Sequence, residues 1–326
     1  MQSMPLSEYL ADPCETPSLD SSTCWKMISQ SPKHAWHGHP RLNPAREADD
    51  ANSAMDIGAA AHALFLENDI SRFVMVEADD WRTKAAKEQR DTARAEGKIP
   101  LLEHQGAKVF AIAAASRDAV SGCDELAEIF DGAMVEQVCL WKEGDTWCRA
   151  RPDLVSADRK IVINYKTTGA SAAPGSFGST IVKSGYHLQA YHHARGIMAE
   201  TGVMPTYLWL AQETDPPYAA SILGASPALM ELAAMQWRYA IELWRNCLAS
   251  GEWPAYPSRV CWVEPKAWDM ESWMARPDVQ VIQDTNIACQ CMTENGVCGA
   301  REGVARDASG IWLCDKCAAA MAQVFG

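Results

Sequence analysis

The sequence predicts an α/β fold, a β-sheet core flanked by helices, followed by a small cysteine-rich appendage. Three observations predict it. Helical stretches alternate with short apolar runs of strand length between residues 55 and 248. The β-branched run Ile161-Val162-Ile163 suits a buried strand. Five cysteines, Cys289, Cys291, Cys298, Cys314 and Cys317, gather near the C-terminal end, where the alternation stops.

Composition narrows the classes. The 326 residues are 48% hydrophobic, enough for a sizeable core and against disorder as the default. No apolar run reaches the ~18 residues of a membrane span, and the opening Met1-Gln2-Ser3-Met4-Pro5 has neither the basic region nor the apolar core of a secretion signal. The expectation is a cytoplasmic protein without a membrane partner. A net charge of −13 argues against a generally DNA-adhesive surface while leaving room for a local basic channel or an acidic metal centre. Twelve cysteines without a secretion signal are expected to be thiols or metal ligands.

Ser21-Ser22-Thr23 can cap a short helix through Cys24 to Ile28. His34, His37 and His39 follow, a cluster with His62 in which His34 and His37 can share a helical face; solvated histidines are expected there over a metal site. Met55 to Glu67 is a helix whose small residues allow close approach to another element, with His62 inside an otherwise apolar run. That histidine is either a core residue with a satisfied ring or a metal ligand. Trp81 to Lys98 is a second helix, stopped by Pro100. Lys87, Arg90, Arg94 and Lys98 form a stripe along it, with Arg82 and Lys84 just before. The stripe can track a phosphate backbone, or it is a solvated face balanced by Glu88, Asp91 and Glu96. Gly106 to Ala119 is another helix. Met134 to Trp141 and Thr146 to Arg151 read as paired strands around Lys142-Glu143-Gly144-Asp145. Ser171 to Thr180 reads as a small-residue loop, and Val182 to Glu200 as a helix with Tyr186, Gln189 and His193 on one face. Tyr207 to Leu210 is a short strand. Pro227 to Leu248 is a long helix in which Trp237 and Trp244 serve packing.

The chemistry concentrates at 151–169. Along a strand, Val162, Asn164 and Lys166 share one face, and Ile163 and Tyr165 the other. A hairpin turn in Ser156 to Lys160 would bring Asp153 beside Asn164 and Lys166. A carboxylate and an amide oxygen can hold Mg²⁺ or Mn²⁺, and a lysine can orient water or offset developing charge. The alternative is a plain hairpin with a polar turn and a surface lysine.

Pro152-Asp153 followed by Asn164-Tyr165-Lys166-Thr167-Thr168 resembles the split Pro-Asp…(Asp/Glu)-x-Lys motif of the PD-(D/E)xK nuclease superfamily. Within it, the chain resembles the RecE-like exonucleases of exonuclease VIII type from phages and prophages. Gly58 and His62 match a Gly-x-x-x-His helix, and Arg82-Thr83-Lys84 and Ala95-Glu96-Gly97-Lys98 match two short segments. Tyr186-His187-Leu188-Gln189 matches Tyr-x-x-Gln, with His193 where that family carries tyrosine, and Gly251-Glu252-Trp253-Pro254-Ala255-Tyr256 matches the end of the last helix. The matches run in family order over about residues 20–270. Asn164 stands where the family has an acid.

The resemblance implies a restriction-endonuclease-like core with a mixed central sheet in residues 1–270, with 271–326 as linker (Asp269 to Asp284) and cysteine-rich module. It implies a metal-dependent DNA exonuclease on linear duplex DNA, digesting from 5′ ends in phage or prophage recombination. His62, Asp153 and Asn164 would bind Mg²⁺ or Mn²⁺, with Glu136 as a weaker candidate. Lys166 would activate water and Gln189 position it. Arg82, Lys84, Lys87, Arg90, Arg94, Tyr186 and His193 would face DNA. A homo-oligomeric ring and a single-strand annealing protein are the implied partners, in a bacterial or phage-infected cell. An inactive nuclease-fold binding module and an endonuclease stay open. For the module, Cys314-Asp315-Lys316-Cys317 has the gap of a thiolate knuckle. Cys298 and one of Cys289 or Cys291 would complete a structural Zn²⁺ site, with free thiols or an iron–sulfur cluster as alternatives.

Overall fold

The computed structural model describes residues 1–46, 53–126, 128–276, 291–293, 296–300, 304–306 and 311–325. It divides into two compact units, Met1–Tyr256 and Pro257–Gly326.

The first unit is a three-layer α/β/α arrangement around a five-stranded mixed sheet. Short helices α1 (Leu6–Leu10), α2 (Ser21–Ser29) and α3 (Pro32–Gly38) open the chain, with the Asp20 side chain accepting from the Thr23 amide to cap α2. Then come α4 (Ser53–His62), β1 (Phe73–Val76), α5 (Lys84–Ala95), β2 (Ile99–Leu102) and α6 (Glu103–Ser121). Strands β3 (Met134–Val135), β4 (Cys139–Glu143), β5 (Thr146–Ala150), β6 (Leu154–Val155) and β7 (Ile161–Thr168) follow. Helices α7 (Pro174–Lys183) and α8 (Tyr186–Thr201), strands β8 (Thr206–Glu213) and β9 (Ala220–Gly224) and helix α9 (Pro227–Ser250) complete the unit.

The sheet order is β3-β6-β7-β8-β9, with only β7 and β8 parallel; β4–β5 is a separate hairpin and β1–β2 a separate parallel pair. Side-chain alternation in β7 divides the core. Val162 joins Leu188, Ile197, Trp209, Trp237 and Trp244 beneath α8 and α9. Ile163 and Tyr165 join Ala61, Leu64, Val109, Ile112 and Leu210 beneath α4 and α6. A strand buried on both faces is what a continuous β-branched run favours. The tryptophans Trp237 and Trp244 are 2% and 0% exposed, so they pack the core.

Several expected elements differ. The expected strand 134–141 is broken at Glu136, whose φ is 55°; β3 pairs with β6, and β4 with β5. The expected loop 171–180 forms α7, started by Pro174 at its first turn. Gly185, at φ 74°, separates α7 from α8. The helix of 55–67 ends in a π-helical turn, Ala63–Glu67, directly after His62. The helix expected to run to Lys98 and stop at Pro100 ends earlier, at Ala95, where Gly97 at φ 71° turns the chain; Pro100 lies within β2, because a two-stranded pair leaves edges that tolerate proline. His39 is not solvated: it is 1% exposed, with Nε2 3.0 Å from the Ser18 carbonyl oxygen, whereas His34 and His37 are exposed.

The second unit contains α10 (Ala267–Met274) where the start of a linker was expected. It continues with hairpins β10 (Met292–Thr293)–β11 (Gly296–Val297) and β12 (Val304–Arg306)–β13 (Trp312–Cys314), and ends in α11 (Asp315–Phe325). Cys289 lies outside the described residues. Among the described residues, no helix is long and apolar enough to cross a membrane.

Candidate active site

The turn between β6 and β7 sets the site. The Ser156 amide donates to the Ile161 carbonyl at 2.9 Å, and Asp158 accepts from the Ser156 hydroxyl (2.7 Å) and the Lys160 amide (3.0 Å). This closure fixes the register at Leu154↔Ile163, so Asp153 comes next opposite Asn164. The Tyr165 amide donates to Asp153 Oδ2 at 2.7 Å, anchoring the carboxylate on the strand backbone.

Glu136 reaches the same place through a local distortion. Its left-handed backbone costs ~1–2 kcal/mol for a residue other than glycine. Three contacts hold it: its amide donates to the Asp153 carbonyl at 3.0 Å, Arg151 Nε donates to its carbonyl at 3.2 Å, and Arg151 Nη1 lies 2.8 Å from its Oε2. Glu136 Oε1 is thereby turned toward His62, 3.2 Å from Nε2.

His62 comes from α4, and Gly58 one turn earlier explains how it reaches the sheet. A β-carbon at position 58 would lie 2.8 Å from Thr167 Oγ1, so glycine lets α4 approach β7 without displacing that side chain. His62 Nε2 also lies 3.5 Å from Asp153 Oδ2. One ligand atom each from His62, Glu136 and Asp153 falls within 4.8 Å of the others. These three form the one group of oxygen and nitrogen donors at metal-holding spacing among the described residues.

The electrostatics are those of a crowded acidic centre. Burial and the Asp153 carboxylate push Glu136 up to about 7, against His62 and Arg151. Burial disfavours the His62 imidazolium, but the hydrogen bond and charge of Asp153, with Glu136, hold its pKa above the ordinary value. Burial also disfavours the Asp153 carboxylate, yet His62, Lys166 and the Tyr165 amide keep it below the usual range. Burial lowers Lys166, with Asp153 and Glu136 opposing. Its ammonium lies 4.7 Å from the centre of the Tyr186 ring. A cleft of about 660 Å³ opens here, lined by His62, Glu136, Arg151, Tyr165, Lys166 and Thr167, with an apolar wall that includes Leu6 and Met55.

A divalent cation fits this donor set on two grounds. An imidazole and two carboxylates suit Mg²⁺ or, better, Mn²⁺. Asn164 is fully buried, and neither its Oδ1 nor its Nδ2 finds a hydrogen-bond partner among the described residues. Each such orphan costs ~1–3 kcal/mol, which an amide oxygen turned to a cation recovers. A metal held here would supply Lewis-acid activation of a phosphate and of a bound water. Of the chain's own groups, Lys166 presents a cation to the cleft beside Glu136, and Asp153 and Glu136 can accept a proton. Arg151 holds Glu136 in place.

The remaining expected site residues divide. Tyr186 packs on Lys166, and Gln189 is partly buried one turn along α8, outside the lining of the cleft. His193 is not a DNA-facing residue: it is 3% exposed, with Nδ1 3.1 Å from the Tyr207 hydroxyl, and burial lowers its pKa to about 3. Its neighbours Ala190, Ala194 and Ile197 were the sequence signal for burial. The basic stripe is largely paired with acids. Arg82 meets Asp80 at 3.1 Å, Lys84 meets Glu88 at 3.6 Å, and Arg90 meets Asp91 at 2.8 Å. Arg94 reaches the buried Asp56 of α4 at 3.0 Å, tying α5 to the helix that carries His62. Lys87 is exposed. Arg151 was not singled out from the sequence. Its place immediately before Pro152-Asp153, across from Glu136, was the only signal available.

Comparison with known proteins bears on the fold and the family. Residues 21–263 match the model of a family described as a PDDEXK-like domain of unknown function, DUF3799. The fold is similar to the crystal structure of a protein from Eubacterium rectale named "Putative exonuclease". The TM-score is 0.52 at 11% identity, covering 83% of this chain and 98% of that one. No curated protein shows significant similarity. With its split Pro-Asp…Asn-x-Lys motif just before β6 and on β7 of a mixed sheet, the chain belongs to the PDDEXK-like family DUF3799.

Proposed function

We propose that the protein is a divalent-metal-dependent deoxyribonuclease that digests linear duplex DNA, using Mg²⁺ or Mn²⁺ held by His62, Glu136, Asp153 and the Asn164 amide oxygen. The observation that carries the reading is the convergence of His62, Glu136 and Asp153 on one point beside Lys166, in a cleft at the end of the motif-bearing strand. Lys166 orients the attacking water and offsets charge on the phosphate, and the resemblance supports Gln189 of α8 as helping to position that water. The resemblance to RecE-like exonucleases supports digestion from 5′ ends, leaving a 3′ strand for recombination in a phage or prophage. It also supports a ring assembly, an annealing-protein partner and a cytoplasmic setting.

Asn164 favours a second reading, a nuclease fold kept for DNA or protein binding with little or no cleavage, because an amide carries one charge less than the acid of the superfamily motif. Mn²⁺-dependent digestion of linear duplex DNA, beside covalently closed circles and Lys166→Ala protein, decides between them. Loss of the linear substrate alone, abolished by Lys166→Ala, supports the exonuclease. Cleavage of circles makes it an endonuclease. Metal-independent DNA binding without digestion supports the second reading.

A further inference from the structure

Cys291, Cys298, Cys314 and Cys317 lie in the second compact unit, beyond the family-matched span. The thiol sulfurs of Cys298, Cys314 and Cys317 lie within 4.8 Å of one another, with Cys298 and Cys314 3.9 Å apart. A disulfide would place two sulfurs ~2.05 Å apart. A tetrahedral ion bound at ~2.3 Å by thiolates spaces its ligand sulfurs ~3.8 Å apart. The observed separation is therefore that of two corners of one tetrahedron.

Cys291, whose thiol stands outside that group of three, is the described cysteine nearest in the chain to Cys298. The Cys298 amide donates to the Cys291 carbonyl at 2.8 Å, and Cys291 and Cys298 both pack against the cluster of Leu313, Cys314 and Cys317. Gly299, at φ 66°, turns the chain immediately after Cys298. Cys314 ends β13 and Cys317 lies in the first turn of α11, so one pair comes from a hairpin and the other from a strand–helix junction. Among the described residues, Leu313 packs with the cysteines of this unit, and a unit of this length gains stability from a structural metal.

We propose that Cys291, Cys298, Cys314 and Cys317 form a closed tetrathiolate Zn²⁺ site that holds this unit together. On binding, four Zn–S bonds form and the thiol protons pass to solvent. The positive end of α11 offsets part of the excess thiolate charge. With four protein ligands and no open position, the site is structural, not catalytic. Four thiolates on one ion also separate it from an iron–sulfur cluster, whose cysteines bind different irons and stand further apart.

The test uses the full chain and is independent of the nuclease reading. Metal analysis of the purified protein is expected to give one zinc per chain. X-ray absorption at the zinc edge is expected to give four sulfur neighbours at ~2.3 Å in the unaltered protein, so the result does not depend on a variant folding. Replacement by Co²⁺ should give a thiolate-to-cobalt charge-transfer band, which the oxygen-rich nuclease site cannot produce. Cys291→Ser, Cys298→Ser, Cys314→Ser and Cys317→Ser should each weaken that band, and Cys289→Ser should not. Iron in place of zinc, nitrogen or oxygen neighbours at the zinc edge, absence of metal, or loss of the band in Cys289→Ser but not in Cys291→Ser would each overturn the proposal.

Discussion

Restoring a carboxylate at Asn164 should have opposite effects with and without metal. Position 164 is fully buried and lies opposite Asp153 in the β6–β7 register. The cost of an added acid there can be gauged from Glu136, whose side chain is 14% exposed and whose pKa is pushed from 4.5 up to about 7 by burial and by Asp153. At ~1.4 kcal/mol per unit, that is ~3 kcal/mol of penalty on the charged form. Without metal, the buried carboxylate of Asn164→Asp should be destabilising by a similar ~3 kcal/mol, or ~6–12 °C in Tm at 2–4 °C per kcal/mol. A cation reverses the balance, because the added charge strengthens its binding; Mn²⁺ at 100 times its Kd returns ~2.7 kcal/mol. Asn164→Asp protein should therefore melt well below the parent in chelator, recover most of the difference in Mn²⁺, and digest linear duplex DNA faster than the parent. Thermal unfolding with and without Mn²⁺, beside a cleavage time course, measures both arms. An unchanged Tm in chelator together with unchanged cleavage would refute the reasoning, since Asn164 would then face neither the carboxylates nor the metal.

Gly58→Ala inserts a methyl group into the 2.8 Å contact with Thr167 and should move His62 away from the carboxylates, weakening Mn²⁺ binding ~10-fold by calorimetry. Arg151→Ala should lower cleavage ~10–100-fold, with Arg151→Lys partly restoring it; the loss should vanish in a Glu136→Ala background, because Arg151 acts through that carboxylate. Mn²⁺ binding should weaken as pH falls below about 7, since the metal requires Glu136 ionised and His62 neutral while acid protonates both; affinity measured between pH 6 and 8 checks this. His192 is buried with its pKa lowered from 6.5 to about 4, so the unfolded chain takes up a proton first as pH falls. Stability should drop by ~3 kcal/mol between roughly pH 6.5 and 4 from this residue alone, read from urea midpoints.

The parts of the site that were legible in the sequence are those carried by short-range rules. The β-branched run located β7, alternation separated Asn164 and Lys166 from Tyr165, and the polar turn at 156–160 brought Asp153 alongside. What was not legible depends on partners distant in sequence. Glu136 was a candidate through the resemblance alone; the left-handed backbone that points it into the site is one that periodicity reads as plain strand. Arg151 matters only because Glu136 lies across from it. The stripe on α5 looked like a phosphate track because helical spacing aligns its cations. The neutralising acids lie partly on the same helix, at Glu88 and Asp91, and partly on α4, at Asp56, where no local window sees them. The α7 helix was hidden by its glycines and serines, whose weak propensity is overridden by Pro174 at the start and by Phe177 and Ile181 packing into the core.

The bond from the Tyr165 amide to Asp153 also bears on chemical ageing. Asparagine deamidates when the backbone nitrogen of the next residue attacks the side-chain amide carbon and closes a succinimide ring. For Asn164 that nitrogen belongs to Tyr165, whose proton is engaged by Asp153 Oδ2 at 2.7 Å within an extended strand paired on both sides. Ring closure would require breaking that bond and turning a buried backbone out of β geometry. Asn164 is thus shielded from spontaneous conversion to aspartate, so cleavage by aged preparations would still report the encoded amide and not an acid acquired on storage.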